Sequence, residues 1–219
     1  MPPVLQSASG DAARLAIILT LLFAPYPTNA QSSVRAEYRT KASFLAKFPS
    51  FIEWPESAFS SPEAPFVVCV LGEYRFGTAL AETSRSALPH GRRIDVRWAR
   101  KDQQLNSCHI LFFSSSERQR YAKILQFVKG VAVLTVGETA DFMSAGGMLG
   151  FSFQNDSLQF EVNLVAANEA QLRVSSKLLA LARRVVKPYS STRRDFSKPG
   201  WTASYQQAFD PGRSEAPSK

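Results

Sequence analysis

The sequence predicts an α/β domain: a mixed central sheet flanked by helices, ending in a C-terminal hairpin and a long final helix. Three observations carry this. The runs Phe66–Leu71, Cys108–Phe113 and Val131–Val136 are apolar on both faces, as strands in the middle of a covered sheet must be. Segments of helical period precede and separate them. Finally, Met148–Phe153 and Leu158–Asn163 flank the polar Gln154-Asn155-Asp156-Ser157, the pattern of a hairpin. Strands alternating with helices, then a hairpin, describe a sheet with helices on its faces.

The elements follow in order. Arg14 precedes the apolar run Leu15–Ala24, which the small residues Thr28-Asn29-Ala30 follow. About ten apolar residues cannot span a hydrocarbon core of roughly 30 Å as a helix. A charged start, a short apolar stretch and a small-residue boundary instead form a secretory signal pattern. Residues 1–30 are therefore expected to be removed, leaving a mature chain from Gln31. Val34, Tyr38, Ala42, Leu45 and Phe48 recur at helical spacing, so Val34–Phe48 reads as an amphipathic helix. Pro49 stops it. Phe51-Ile52-Glu53-Trp54-Pro55 is a hydrophobic loop, and Pro62 and Pro65 prolong the irregular stretch. After strand Phe66–Leu71, a short helix fits Arg75–Ser86.

Ile94, Val96 and Trp98 alternate with Asp95 and Arg97, a strand with one wet face. Ser114–Ser116 precede a helix in which Tyr121, Ile124, Leu125 and Val128 share one side, and Gly130 ends it. Thr139–Gly147 reads as a loop carrying Phe142. Gly146-Gly147-Met148-Leu149-Gly150 reads as a tight turn feeding a strand. Asn168 with Gln171 resembles a capping box, opening a helix in which Gln171, Val174, Leu178, Leu181 and Val185 keep one face until Pro188. From Lys187 the composition turns to Ser, Thr, Pro, Arg and Lys with isolated Phe196, Trp201, Tyr205 and Phe209. The organisation is thus a signal peptide over 1–30, an α/β domain over 31–186 and a disordered basic tail over 187–219.

The net charge is +8. An exported protein meets little nucleic acid, which excludes that partner. Anionic lipid heads, cell-wall polymers or an acidic protein face fit better, the basic tail supplying at most a weak contact with membrane or cell wall. Cys69 and Cys108 are the two cysteines. In an oxidising compartment such a pair is expected to form a disulfide, two buried free thiols being the alternative. A metal site would need further ligands. His109 beside Cys108 does not supply one readily, because adjacent strand residues face opposite ways.

Nothing assembles into catalytic apparatus. With two histidines in the chain, a His-based triad has little to draw on. No G-x-S-x-G elbow, phosphate loop, dinucleotide fingerprint or H-E-x-x-H motif is present. No enzyme, no cofactor and no metal are expected. The residues that stand out suit recognition instead: Phe51 and Trp54 in one loop, Phe142 in another, and Phe151 and Glu161 on the hairpin. These are the expected partner-binding residues, because aromatic anchors commonly carry interface energy.

A set of segments in one order resembles the YfiR/HmsC-like family of periplasmic proteins. They are Lys41-Ala42-Ser43-Phe44-Leu45 leading into Phe51-Ile52-Glu53-Trp54-Pro55, then Phe66-Val67-Val68-Cys69-Val70-Leu71-Gly72, Cys108-His109-Ile110-Leu111-Phe112 and Leu134-Thr135-Val136-Gly137. Gly146-Gly147-Met148-Leu149-Gly150-Phe151, Leu158-Gln159-Phe160-Glu161-Val162-Asn163-Leu164 and Ser175-Ser176-Lys177-Leu178-Leu179 complete the set. The resemblance implies an exported α/β domain in the periplasm that can form a homodimer. It also implies a partner, an inner-membrane diguanylate cyclase or similar membrane sensor, restrained through its periplasmic sensor region. Cyclic di-GMP and biofilm formation would be controlled in this way. A second cysteine pair that some relatives carry near the glycine turn is absent, so redox control through it is not implied. The alternative function is a periplasmic sensor that binds a small ligand between the sheet and the glycine loop.

Export gives the first prediction. Mass spectrometry of the periplasmic fraction should find a mature N-terminus at or next to Gln31, and a chain retaining Met1 in the membrane fraction would contradict it.

Overall fold

The computed structural model describes residues 30–87, 89–99, 102–155 and 157–188. The expected signal peptide, apart from Ala30, and nearly all of the expected tail lie outside the described residues. The chain divides into two units, Met1–Val186 and Lys187–Lys219, and the fold belongs to the first.

Its elements are α1 (Ala30–Lys47), β1 (Ile52–Glu53), β2 (Phe66–Leu71), α2 (Ala79–Ser86), β3 (Ile94–Ala99), β4 (Ile110–Phe113), α3 (Tyr121–Phe127) and β5 (Leu134–Gly137). There follow α4 (Ala140–Ser144), β6 (Leu149–Gln154), β7 (Ser157–Asn163), α5 (Leu164–Glu169), β8 (Arg173–Val174), α6 (Ser176–Leu181) and β9 (Arg184–Val186). Seven strands form one sheet in the order β3-β2-β4-β5-β6-β7-β9. The pairs from β3 through β6 are parallel, β6 and β7 form an antiparallel hairpin, and β9 adds parallel to β7. The sheet is therefore mixed and flanked by helices, as the sequence predicts. β1 and β8 form a separate antiparallel ladder, Ile52 opposite Val174 and Glu53 opposite Arg173.

The period-two alternation of the central strands builds two cores. Val68, Val70, Ile110, Phe112, Leu134 and Val136 face a first core with Tyr38, Ala42 and Leu45 of α1, Leu80 of α2 and Leu178 of α6. Val67, Cys69, Leu71, Leu111 and Phe113 face a second with Tyr121, Ile124 and Leu125 of α3 and Phe142 of α4. The one-sided apolar pattern of α1 and α3 is what these faces require.

Three sequence expectations change. The segment 139–147 is not all loop: Ala140–Ser144 coils into α4 and buries Phe142 completely. A Cβ on either Gly137 or Gly147 would collide with that ring. These glycines are where the sheet admits an aromatic side chain. Gly146, at φ +100, makes the tight turn into β6. The helix expected from Arg75 begins only at Ala79.

The long final helix does not form. Asn163, not Asn168, is the cap: its side chain accepts from the Val165 and Ala166 amides and opens α5. Gln171 then turns left-handed at φ 58. Ser175 caps α6 by accepting from the Leu178 amide, and Ala182 is extended at its end. Val174 and Val185, whose spacing mimics a helix face, sit in β8 and β9 opposite Ile52 and Val162. Strand pairing overrides the local helical period here, and Leu181, expected on the buried stripe, is 69% exposed.

Cys69 and Cys108 form a disulfide with Cα atoms 5.8 Å apart, within the range of about 4.4–6.8 Å for bridges. β2 and β4 are sheet neighbours, and Cys108 lies just before β4, where the next amide, that of His109, donates to the Val67 carbonyl. Both cysteines are buried in the second core.

The bridge closes a sequence separation of 39 residues, which on the chain-entropy model stabilises by about 4 kcal/mol. Reduction in partial denaturant should lower the unfolding midpoint correspondingly, while native protein resists mild reductant in a thiol-labelling assay. An unchanged midpoint after full reduction would contradict this.

Candidate interaction site

The Phe51–Pro55 segment is held at both ends. A tight 3-10 turn over Phe48–Ser50 carries Pro49, and the Phe51 amide donates to the Phe48 carbonyl. The Phe51 carbonyl accepts from the Ser175 amide at 2.9 Å, and β1 pairs with β8. Alternation along this short strand buries Ile52 and sends Glu53 outward. Phe51 and Trp54 are half-buried and pack against the first core.

Trp54 meets Phe66 edge-on at 5.2 Å. Its indole nitrogen is buried and, among the described residues, has no hydrogen-bond partner, an arrangement that costs about 1–3 kcal/mol. Clefts lie on both sides of this ring. One of about 610 Å³ is lined by Trp54, Phe59, Phe66, His90 and Arg92 among others. The other, about 640 Å³, is lined by Trp54, Glu53, Glu56, Asn168, Gln171 and Arg173 among others.

A stacked column forms one wall. The Arg92 guanidinium lies 4.0 Å over the Phe59 ring, and Phe59 stacks on His109 with centroids 4.5 Å apart. Arg92 also donates to the Ala64 carbonyl at 2.8 Å. His109 Nδ1 accepts from the Val67 amide at 3.0 Å, so in the neutral ring Nε2 carries the proton and donates to the Ala58 carbonyl at 3.1 Å. Burial pushes the His109 pKa down, against the Ala58 hydrogen bond that favours the charged form.

A buried charged cluster lies beyond the end of β5. Lys41 Nζ is 2.6 Å from Glu138 Oε2, and both side chains are buried; Glu37, one turn earlier on α1, pairs with the same ammonium. Tyr38 donates its hydroxyl to Glu138 at 2.8 Å, and the Ser115 amide donates at 2.8 Å. Burial alone would raise the Glu138 pKa. The Lys41 charge and the hydrogen bonds from Lys41, Ser115 and Tyr38 outweigh it and hold the carboxyl below its ordinary value. Burial, then the Glu138 carboxylate, push the Tyr38 hydroxyl well above its ordinary range. Both Glu138 oxygens accept hydrogen bonds, from Lys41, Tyr38 and the Ser115 amide, and the cluster joins α1 to the sheet.

The residues expected to bind a partner do not come together. Phe51 and Trp54 share one loop. Phe142 is fully buried in the second core, and Phe151 is 3% exposed in the first core, stacked on Phe48; neither ring is presented to a partner. Glu161 on β7 accepts from Arg184 Nε on β9 at 2.9 Å. The column of Phe59, Arg92 and His109 escapes a reading of the sequence, since it joins an irregular stretch, a strand entry and a strand start. Lys41 was recoverable: it sits one position before Ala42 and three after Tyr38, on the apolar stripe of α1.

Among the described residues, no group of three or more His, Cys, Asp or Glu is placed to hold a metal, and no helix is long and apolar enough to cross a membrane. The model of the YfiR/HmsC-like family matches residues 38–183. The chain belongs to the YfiR/HmsC-like family. Its members are periplasmic regulatory proteins rather than enzymes. No curated protein matches the chain. Two solved structures resemble it at a TM-score of 0.44 and 10% identity: a conserved domain protein from Vibrio cholerae, and an ABC domain in complex with L-Trp from Streptococcus pneumonia. Each match covers 68% of this chain, which spans 60% of the length of either structure.

His109 and Glu138, the buried groups of this region whose pKa values are lowered, predict separate acid transitions. Each has a depressed folded pKa, so its stabilisation is complete above its unfolded pKa and is lost as pH falls through the folded one. For His109 the loss begins below its ordinary value of 6.5; for Glu138 it begins below 4.5. Melting temperature should fall first below pH 6.5 and again below 4.5. Glu138→Gln should remove the second step and cost about 3 kcal/mol at neutral pH, as breaking a buried ion pair does. A single transition shared by both proteins would contradict the assignment.

Proposed function

We propose that this protein binds and restrains the periplasmic sensor region of an inner-membrane diguanylate cyclase, controlling cyclic di-GMP and biofilm formation. The observation that carries the reading is the Trp54 segment. It sets a half-buried tryptophan and Phe51 on a short ladder pinned at both ends, with the tryptophan lining two clefts. Interfaces concentrate their energy in such aromatic anchors. Family membership supports a partner within the diguanylate cyclase system. In this reading the protein acts as a homodimer in the periplasm, and the basic tail adds a weak contact with the membrane or cell wall. Phe151 acts from within, by holding the first core on which the segment rests, and Phe142 by holding the second core on the other face of the sheet. Glu161, tied to Arg184 beside the solvent, remains a candidate contact.

A second reading, a small-ligand sensor, is favoured by the unpartnered Trp54 indole nitrogen. Where the sequence would place such a ligand, at the glycine loop, Phe142 occupies the space over Gly137 and Gly147, and the cleft lined by Thr135, Gly146, Met148 and Asn163 among others measures about 220 Å³. The clefts beside Trp54 are the better place for it.

Phe51→Ala and Trp54→Ala should remain folded by circular dichroism, bind the isolated sensor region of the cyclase about tenfold or more weakly in calorimetry, and raise cellular cyclic di-GMP. Phe142→Ala should lose about 3–5 kcal/mol of stability instead. Unchanged binding by both loop variants would place the interface elsewhere.

A further inference from the structure

Among the described residues, β3 stands at one edge of the seven-stranded sheet, with β2 as its single strand neighbour. Register fixes how its backbone is turned. The Phe66 amide donates to the Arg93 carbonyl, and Phe66 lies level with Ile94. In a strand, the N–H and C=O of one residue point to the same side, and successive residues alternate. Arg93, Asp95 and Arg97 therefore direct their peptide groups toward β2, whereas Ile94, Val96 and Trp98 direct theirs outward.

The side chains sort onto two faces. Ile94 and Val96 pack against the first core. Trp98, on the same face, is 50% exposed; its indole N–H donates to the Gly72 carbonyl at 2.8 Å. With Glu73, Tyr74 and Val96 it lines an open groove. On the opposite face Asp95 and Arg97 stand half-exposed, and Arg97 Nε and Nη2 donate to Asp95 Oδ2 at 2.9 and 2.8 Å.

We propose that this edge is the homodimer interface, β3 pairing antiparallel with β3 of a second copy across a two-fold axis at Val96. The inference rests on the homodimer reading above and gives it a face and a register. Three requirements select the same alignment. Residues opposed across an antiparallel pair must share a face, and outward peptide groups must meet outward peptide groups. Both conditions hold with Val96 opposite Val96 and Ile94 opposite Trp98 of the second copy. The same alignment puts Asp95 opposite Arg97 of the second copy, twice by symmetry, and opposite charges in such positions are favourable.

Slipping the register by two residues in one direction sets Asp95 against Asp95, and in the other Arg97 against Arg97. Slipping it by one turns inward peptide groups toward outward ones. Charged side chains on an edge strand normally discourage pairing with other chains. This pair discourages a foreign apolar strand and accepts its own copy at one alignment. A two-fold interface needs a self-complementary patch, and Ile94-Asp95-Val96-Arg97-Trp98 is one.

Sedimentation velocity on the purified mature protein tests this. The wild type should be dimeric in the micromolar range. Val96→Pro should be monomeric with an unchanged melting temperature, because proline is tolerated on an edge strand where its missing N–H would face outward. Asp95→Arg and Arg97→Asp should each dissociate about tenfold or more readily. An equal mixture of the two should recover the dimer, since one copy then sets two arginines opposite the two aspartates of the other. The mixture decides the matter even if the proline variant unfolds. A dimer that survives Val96→Pro and both charge reversals overturns pairing through β3 while leaving the homodimer itself intact. A wild type that stays monomeric to high micromolar concentration overturns both.

Discussion

The structure depends on one constraint: β2, β4 and β5 are apolar on both faces, so neither face can be left to water. Every larger feature answers to it. α1, α2 and α6 cover one face, and α3 and α4 cover the other. Buried parallel strands permit no short hairpin between them, so the chain must cross the sheet between strands, and the crossings carry α2, α3, α4 and α6, while α1 precedes every strand. The Cys69–Cys108 bridge lies within this arrangement, joining β2 to the entry of β4 under the second layer.

Two titratable groups enter the interior with hydrogen-bond partners, while the buried hydroxyls of Ser84 and Ser114 have none among the described residues. His109 uses both ring nitrogens on backbone atoms. Glu138 receives an ammonium, a phenol and an amide. Such pairs often contribute little net stability against well-packed apolar residues, yet removing one member leaves a buried charge uncompensated. Here they fix where irregular segments attach. His109 ties the Ala58 turn to β2, and Glu138 ties α1 to the end of β5. The buried Trp54 indole nitrogen likewise has no partner among the described residues, and its ring lines two clefts.

Much of this was legible in the sequence because burial leaves periodic marks. The strand Phe66–Leu71 and the hairpin around Asn155 emerge where alternation and turn chemistry place them. α1 and α3 follow from their apolar stripes, and the cysteine pair from compartment and strand position. Legibility failed where long-range contacts decided the local conformation. Val174 and Val185 carried a helical spacing, but each was claimed by a strand far away in sequence, Ile52 in one case and Val162 in the other. Phe142 looked like an exposed loop aromatic because nothing local reveals that Gly137 and Gly147 leave room for its ring. The column of Arg92, Phe59 and His109 had no period to betray it, since its members belong to three unrelated stretches.

The link between Lys41 and Glu138 spans 97 residues, and this bears on the order of events in a chain that emerges from its N-terminus. α1 appears first, yet the carboxylate that anchors it appears only after β2 to β5 have followed. Until then, the sheet beneath Tyr38, Ala42 and Leu45 lacks β5, and of the two carboxylates that pair with Lys41 only that of Glu37 has emerged. This helix, which precedes every strand it rests on, is thus locked only after they have followed, and the nascent chain carries an apolar stripe that an escort can hold until the fifth strand arrives.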